Sequence, residues 1–293
     1  MITVLAPGVL SLVQDLGRPG CAHLGVAPSG AWDRGAHCSA NALVGNAPDA
    51  ATIEILHGGL ELRTSQVVFV ALVGHGVRLW LGDLHLATGS RHAVPAGGRI
   101  RIEGMGGGLR SYLAIAGGID VPATLGSRSR DTLAQLGPPP LKAGDVLPIG
   151  QSRCIDQAGS GAPSLSPQAP ITSPHEPHEP FDVLPAPLEG QAWDGVINAV
   201  ETGAWRVSEH SDRVGVRLLG ESLIGAHIMV PEVAVQALVP GAIQLPGSGQ
   251  PIIFGPDHPL TGGYPVIGVL GQSALQRLAQ LRAGDDVRLR WLP

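Results

Sequence analysis

Glycine and proline interrupt this chain so often that no long regular element can run through it. They number 42 and 26 among 293 residues, about twice their combined share in an average globular chain, roughly 12%. Proline breaks a helix interior and glycine weakens one, so extended helical architecture is excluded. Between the interruptions lie short apolar or alternating runs at 67–73, 77–81, 99–103, 111–116, 204–208, 215–219 and 287–291. Short runs bounded by turn residues predict an all-β fold, barrel or sandwich. Two stretches read as helical. One is 31–43, with Ser29 as its N-cap; the other is 273–281, where Leu275, Leu278 and Leu281 recur on one stripe before Gly284.

Composition narrows the class further. Hydrophobic residues make up 44% and charged residues 15%, which argues for a packed core and against disorder. The net charge is −5, and the 18 arginines are scattered, which disfavours a nucleic-acid groove. The longest apolar run, 67–73, has seven residues, far below the ~20 that span a bilayer. The opening MITVLAPGVLSLVQD has no basic region and reaches an acid at Asp15, so no secretory signal is expected and the expected location is the cytoplasm. Cysteines 21, 38 and 154 lack CxxC spacing and are expected to be reduced thiols, with no metal site.

A single lysine, Lys142 in LKAGD, tests several chemistries at once. It stands in no GxxxxGK[ST] motif, so this chain has no P-loop. It follows leucine and not methionine, so no covalent biotin is expected on this chain. Pro138, Pro139 and Pro140 just upstream argue against a Ser–Ser–Lys amidase centre. GxSxG and HExxH are absent, and the glycine run 104–108 fails as GxGxxG at Leu109. No self-contained catalytic motif is present.

Over 156–180 the composition shifts to Gly, Ser, Pro and His, ending in HEPHEP. This reads as a linker or exposed loop, dividing the chain into an N-terminal domain, 1–155, and a C-terminal domain, 181–293. His175, Glu176, His178 and Glu179 have metal-ligand chemistry, but every third residue there is proline and the linker reading is preferred. An internal echo supports duplication: LKAGD at 141–145 recurs as LRAGD at 281–285, each before a short strand-like run. That pattern suits a closing hairpin used once in each of two similar barrel-like domains.

Three glycine-framed stretches gather unusual polar residues. The first, SLVQDLGRPGCAHLGVAPSGAWDRGAHCSANALVGN, carries Gln14, Asp15, Arg18, Ser29, Asp33, Asn41 and Asn46. An alternative assigns Asp15 and Arg18 to an ion pair tying down a loop and Asp33 to a helix start. The second is SDRVGVRLLG at 211–220. The third, 242–270, places Gln244, Gln250, Asp257, Thr261 and Tyr264 beside Gly and Pro that fix turns. Polar groups on rigid turns suit a binding cleft, whereas the alternative is ordinary turn capping by Asp257 and Thr261 with Tyr264 packed.

In family order these stretches include VQDLGRPG, LGVAPSGAWDR, ANALVGN, YLAIAGGIDVPATLGSRSRD, SDRVGVRLLG, GAIQLPGSGQPI and TGGYP. The sequence resembles the family of the 5-oxoprolinase C-type subunits, also called allophanate hydrolase subunit 2, which is related to half of the urea carboxylase carboxyltransferase domain and to a kinase-inhibitor antagonist. The resemblance implies two cyclophilin-like β-barrel domains and a kinase-inhibitor-like, B-type partner chain, with an A-type chain joining in ATP-dependent opening of 5-oxoproline. The sequence departs from the family at Val235, Gln236 and Ala237, where Ser-Glu-Gly is usual, and at Pro259 and Leu260, where Gln-Thr is usual. It departs again at Arg130, in Ser129-Arg130-Asp131 for Ser-Thr-Asp, and at PPPLK downstream. These changes remove candidate proton-transfer and hydrogen-bonding groups.

On this footing Asp33, Asp131, Asp257 and Tyr264 are the catalytic candidates, and Arg18, Arg213, Gln244 and Thr261 the substrate-binding ones. The arginines suit a bidentate grip on carboxylate or phosphate. The aspartates suit proton transfer, and Gln244, Thr261 and Tyr264 suit orientation of a carbonyl. The expected function is one subunit of a multi-chain, ATP-dependent amide-bond hydrolase acting on a small carboxylate or urea-like substrate, with ATP on this chain or a partner. The alternatives are a regulatory module that binds a kinase-inhibitor-like chain without chemistry, and a carboxyltransferase served by a separate biotin carrier.

Overall fold

The computed structural model describes residues 1–152, 179–188, 191–221, 223 and 233–293. Apart from its last two residues, the linker expected at 156–180 lies outside them, as does Cys154; Cys21 and Cys38 are free thiols. The described residues fall into two compact units. The first takes those within Met1–Arg18, Ser29–Asp131 and Gln135–Pro174; the second takes those within Pro19–Pro28, Thr132–Ala134 and His175–Pro293. The sequence division at 155 and 181 is therefore crossed by two short segments, 19–28 and 132–134, that group with the second unit. The fold is all-β in character, and no helix among the described residues is long and apolar enough to cross a membrane.

The first unit contains β1 (Ile2–Pro7), β2 (Leu10–Gln14), α1 (Arg34–Leu43), β3 (Thr52–Leu56), β4 (Leu60–Thr64), β5 (Val68–Gly74) and β6 (Val77–Leu81), then β7 (Leu84–Leu86), β8 (Arg91–Val94), β9 (Arg99–Gly104), β10 (Arg110–Ile115) and β11 (Val146–Leu147). They form a six-stranded sheet, β11-β1-β4-β9-β6-β7, and a five-stranded sheet, β2-β3-β10-β5-β8. One core draws on both: Ile2, Leu62, Leu79 and Ile102 from the first sheet, Ile53, Val70, Leu72 and Leu113 from the second. Each fully buried Leu or Ile contributes roughly 1.5–3 kcal/mol. Strand period two explains the continuous apolar run at 67–73, because both faces of β5 are covered. Val70 and Leu72 enter the core, while Ala71 and Val73 meet α1 through Ala36 and Ala40, with Tyr112 and Ala114 of β10 beside them. Small residues on both surfaces let the helix lie close.

The N-cap of α1 is Asp33, not Ser29: its Oδ1 accepts from Ala36 N at 2.9 Å. Ser29 instead occupies the left-handed region at φ 54 and donates its hydroxyl to Arg130 O at 3.2 Å.

The second unit contains β12 (Phe181–Pro185), α2 (Gln191–Thr202), β13 (Trp205–Val207), β14 (Gly215–Leu219), β15 (Gln236–Ala237), β16 (Ala242–Gln244), β17 (Ile252–Phe254), β18 (Thr261–Gly262), β19 (Val266–Leu270), α3 (Gln272–Leu278), β20 (Asp286–Val287) and β21 (Leu289–Trp291). Eight strands form one sheet, β20-β13-β14-β17-β16-β19-β12-β21. Its two edges, β20 and β21, are separated in the chain only by Arg288, so the sheet wraps round until its ends nearly meet, as a barrel requires. β15 and β18 form a separate ribbon. The helix α2 is a third one that the two expected helical stretches did not include. Its signal was present, since Trp193, Val196 and Val200 share one buried stripe, but Gly195 and the small residues around it mask the pattern.

The repeated pentapeptide builds the same turn twice. Asp145 Oδ2 accepts from Lys142 N and Asp285 Oδ2 from Arg282 N, both at 2.7 Å. Gly144 and Gly284 take φ 94 and 91, where a Cβ would be strained. Their N–H groups donate to Val4 O and Val207 O, and Val4 N and Val207 N donate back to Asp145 O and Asp285 O. β11 then pairs with β1, and β20 with β13.

Candidate functional site

In the first unit, the loop after β2 is fastened by the turn that follows β10. The Asp15 carboxylate accepts from Gly17 N at 2.8 Å, from the hydroxyls of Ser127 and Ser129 at 2.6 Å each, and from Arg128 N at 2.5 Å. This is the complement of donors that an isolated buried carboxylate requires. Arg18, 1% exposed, donates to Ser129 O through Nη2 and to Thr124 O at 3.4 Å through Nε. Neither group pairs with the other, so the alternative Asp15–Arg18 bridge does not form. Arg18 has no carboxylate partner among the described residues, and its Nη1 is buried without an acceptor. Arg130 turns its guanidinium to Gln135 O at 2.9 Å and to Gln135 Oε1, while Gln14 Nε2 donates to Arg130 O at 2.9 Å. Asp131 is buried beside it, its N–H donating to Leu136 O at 2.9 Å.

Asp33, fully buried, holds the start of α1 as its alternative assignment proposed. Its own N–H donates to the Tyr112 hydroxyl at 2.8 Å, and that hydroxyl donates to Glu54 Oε2 at 2.7 Å. Burial and the Glu54 carboxylate push the Tyr112 phenol well above its ordinary value of 10.0, so it remains a donor at neutral pH. Arg110 pairs with Glu54 at 3.7 Å and stacks on the Trp32 ring at 4.3 Å.

In the second unit, Arg213 and Asp257 form a forked ion pair, Nε to Oδ2 at 2.9 Å and Nη2 to Oδ1 at 3.1 Å, with both side chains buried. Thr132 adds two donors to Oδ2, from N at 2.9 Å and Oγ1 at 2.8 Å. Removing one member of such a buried pair strands the other charge. The geometry commits both residues to fastening 132–134 within this unit.

Gln244 and Tyr264, two other sequence candidates, share the wall of a cavity of ≈ 340 Å³, a size within the usual range for small-molecule sites, ~300–1,000 Å³. Gln244 sits on β16, 5% exposed, and its Nε2 donates to Tyr264 O at 2.9 Å. Its Oε1 has no partner among the described residues. Tyr264 is 51% exposed. Gly262 closes over the amide: a Cβ there would meet Gln244 Nε2 at 2.4 Å. Thr261, exposed, is paired with Ala237 across the β15–β18 ribbon and does not line the cavity.

Four polar residues of this wall escaped the sequence reading: Ser208, His210, Arg217 and Ser248. Arg217 lies on β14, four positions beyond Arg213, and the strand alternation buries Val216 and Leu218 while turning Arg217 outward. That alternation was visible in SDRVGVRLLG. It distinguishes the two arginines, and only Arg217 reaches the cavity. Of the sequence candidates, Arg18, Asp33 and Asp131 belong to the first unit, and Arg213, Gln244, Asp257, Thr261 and Tyr264 to the second.

The family described as Carboxyltransferase domain, subdomain A and B, matches residues 24–291. The chain is similar to the 5-oxoprolinase C subunit of Escherichia coli (strain K12), with 34% identity over 290 residues, 98% of this chain and 90% of that one. It is also similar to the crystal structure of TTHA0988, with a TM-score of 0.81 and 31% identity over 99% of this chain and 55% of that one. Against the crystal structure of the K. lactis urea amidolyase, the TM-score is 0.84 and the identity 29%, over 100% of this chain and 19% of that one. The chain thus spans about half of the first solved relative and about a fifth of the second. With the family match extending over nearly all of its length, the chain belongs to the family of the carboxyltransferase domain, subdomain A and B.

Proposed function

We propose that this chain is one subunit of a multi-chain, ATP-dependent amide-bond hydrolase of the 5-oxoprolinase type, completed by a B-type partner chain. The observation that carries the reading is the correspondence with the 5-oxoprolinase C subunit over 98% of this chain and 90% of that relative. The side-chain geometry supports it. Asp33 caps a helix and Asp257 is held by Arg213 and Thr132, so neither is disposed as a mobile proton carrier. What this chain offers is binding groups: a cavity with an amide, hydroxyls and a guanidinium on its wall. ATP binding is assigned to a partner chain, in keeping with the missing P-loop lysine.

Co-expression with the A-type and B-type chains, followed by an assay of glutamate release from 5-oxoproline with ATP, tests the proposal. A complex that assembles but cleaves neither 5-oxoproline nor allophanate overturns it. The similarity to the K. lactis urea amidolyase favours a second reading, carboxyl transfer with a separate biotin carrier. A biotinylated chain in the purified complex, detected with avidin, would select that reading.

A further inference from the structure

We propose that the cavity of the second unit is a carboxylate-binding site in which Arg217 holds the anion and Gln244 reads an amide N–H of the same ligand. The proposal deepens the function above and rests on it for the choice of an amide-bearing acid; the site itself is argued from the wall.

Among the described lining residues there is no aspartate or glutamate, and the only formal cation is Arg217. Some strand arginines elsewhere are matched to acids: Arg99 with Glu61, Arg206 with Asp286, Arg290 with Asp182. Arg217 has no such match. Its partner across β17 is Ile252, and on its other side its carbonyl accepts from Ser208 N at 2.8 Å. Its guanidinium makes no hydrogen bond or ion pair with any described residue.

Two groups that are nine-tenths buried flank this charge with hydrogen-bonding capacity left over. Gln244, 5% exposed, spends its Nε2 on Tyr264 O and leaves Oε1 to accept. Ser208, 3% exposed, accepts from His210 N at 3.1 Å and keeps its own hydroxyl proton to donate. A guanidinium fork with a hydroxyl donor beside it suits a carboxylate, and an amide oxygen suits the N–H of a lactam or ureide. A neutral urea would occupy the amide end and leave the guanidinium unanswered. The site therefore selects amide-bearing acids over uncharged amides.

The test is equilibrium binding without ATP, so that no turnover is read. Full-length chain, alone and in complex with its partner, is titrated calorimetrically with 5-oxo-L-proline, its neutral carboxamide, and urea. We expect the acid to bind at least tenfold more tightly than the carboxamide, and urea not to compete. Arg217→Gln should abolish the tenfold preference and Arg217→Lys should restore part of it, with the thermal midpoint unchanged because the side chain is exposed and unpaired in the fold. Equal binding of acid and carboxamide, a preference that survives Arg217→Gln, or no binding of any probe by either preparation overturns the inference. Failure of ATP-dependent hydrolysis with the anion preference intact overturns only the function proposed above; loss of the preference with hydrolysis intact overturns only this site.

Discussion

His37 on α1 is fully buried, with one ring nitrogen on Thr52 Oγ1 and the other on Pro48 O, both at 2.9 Å. Burial lowers its pKa below the ordinary 6.5, so the folded chain holds it neutral while the unfolded chain protonates it more readily. Its contribution is fully present above pH 6.5 and is lost as pH falls from 6.5 through the lowered folded value. The thermal midpoint should fall between pH 7 and pH 5, and His37→Gln should flatten that slope; an unchanged slope would contradict the assignment. Tyr112 gives a second residue-scale prediction. Its hydroxyl donates to Glu54 and accepts from Asp33 N, so Tyr112→Phe leaves two buried groups each short of a partner. A loss of about 1–3 kcal/mol in urea unfolding is expected.

At the scale of elements, the two LxAGD turns predict their own equivalence. Because Asp145 and Asp285 each accept from the residue three before at 2.7 Å, Asp145→Ala and Asp285→Ala should cost similar amounts, on the order of 1 kcal/mol each. Unequal costs beyond a factor of three in denaturant titrations would argue that the echo is incidental. The same elements show what the sequence can reveal. β6 and β14 lie where their alternation put them, because the turns on either side leave a strand no other place to start. The helix start moved to Asp33, since side-chain capping by Asp33 and the left-handed backbone of Ser29 are settled by contacts distant in sequence. Gln244 and Tyr264 were legible as cavity residues through their glycine-rich setting, whereas Arg217 was hidden behind Arg213. Gln236–Ala237 and Thr261–Gly262 are partners in one ribbon. Gly262→Ala in that ribbon brings a Cβ to 2.4 Å from Gln244 Nε2. It should displace the amide and weaken binding of 5-oxo-L-proline about tenfold, as overpacking of ~1–3 kcal/mol predicts.

For the molecule as a whole, the two units are not two halves of the sequence. Each has its own buried core, yet the second incorporates 132–134 from far upstream. Thr132 supplies two of the donors to the Asp257 carboxylate, which is fully buried. A fragment cut within the linker and carrying only 175–293 retains Arg213 but loses 19–28 and both Thr132 donors, leaving Asp257 under-satisfied. Such a deficit costs about 1–3 kcal/mol for a buried polar group and more for a charged one. The fragment should therefore unfold at lower urea than the same barrel within the full chain, followed by the fluorescence of Trp205, which is 2% exposed in this unit. The full chain carrying Thr132→Val should move in the same direction, since it removes the hydroxyl donor and keeps the backbone one. A fragment as stable as the barrel in the full chain would mean that the upstream segment is passive and that the linker marks a true boundary between independently folding domains.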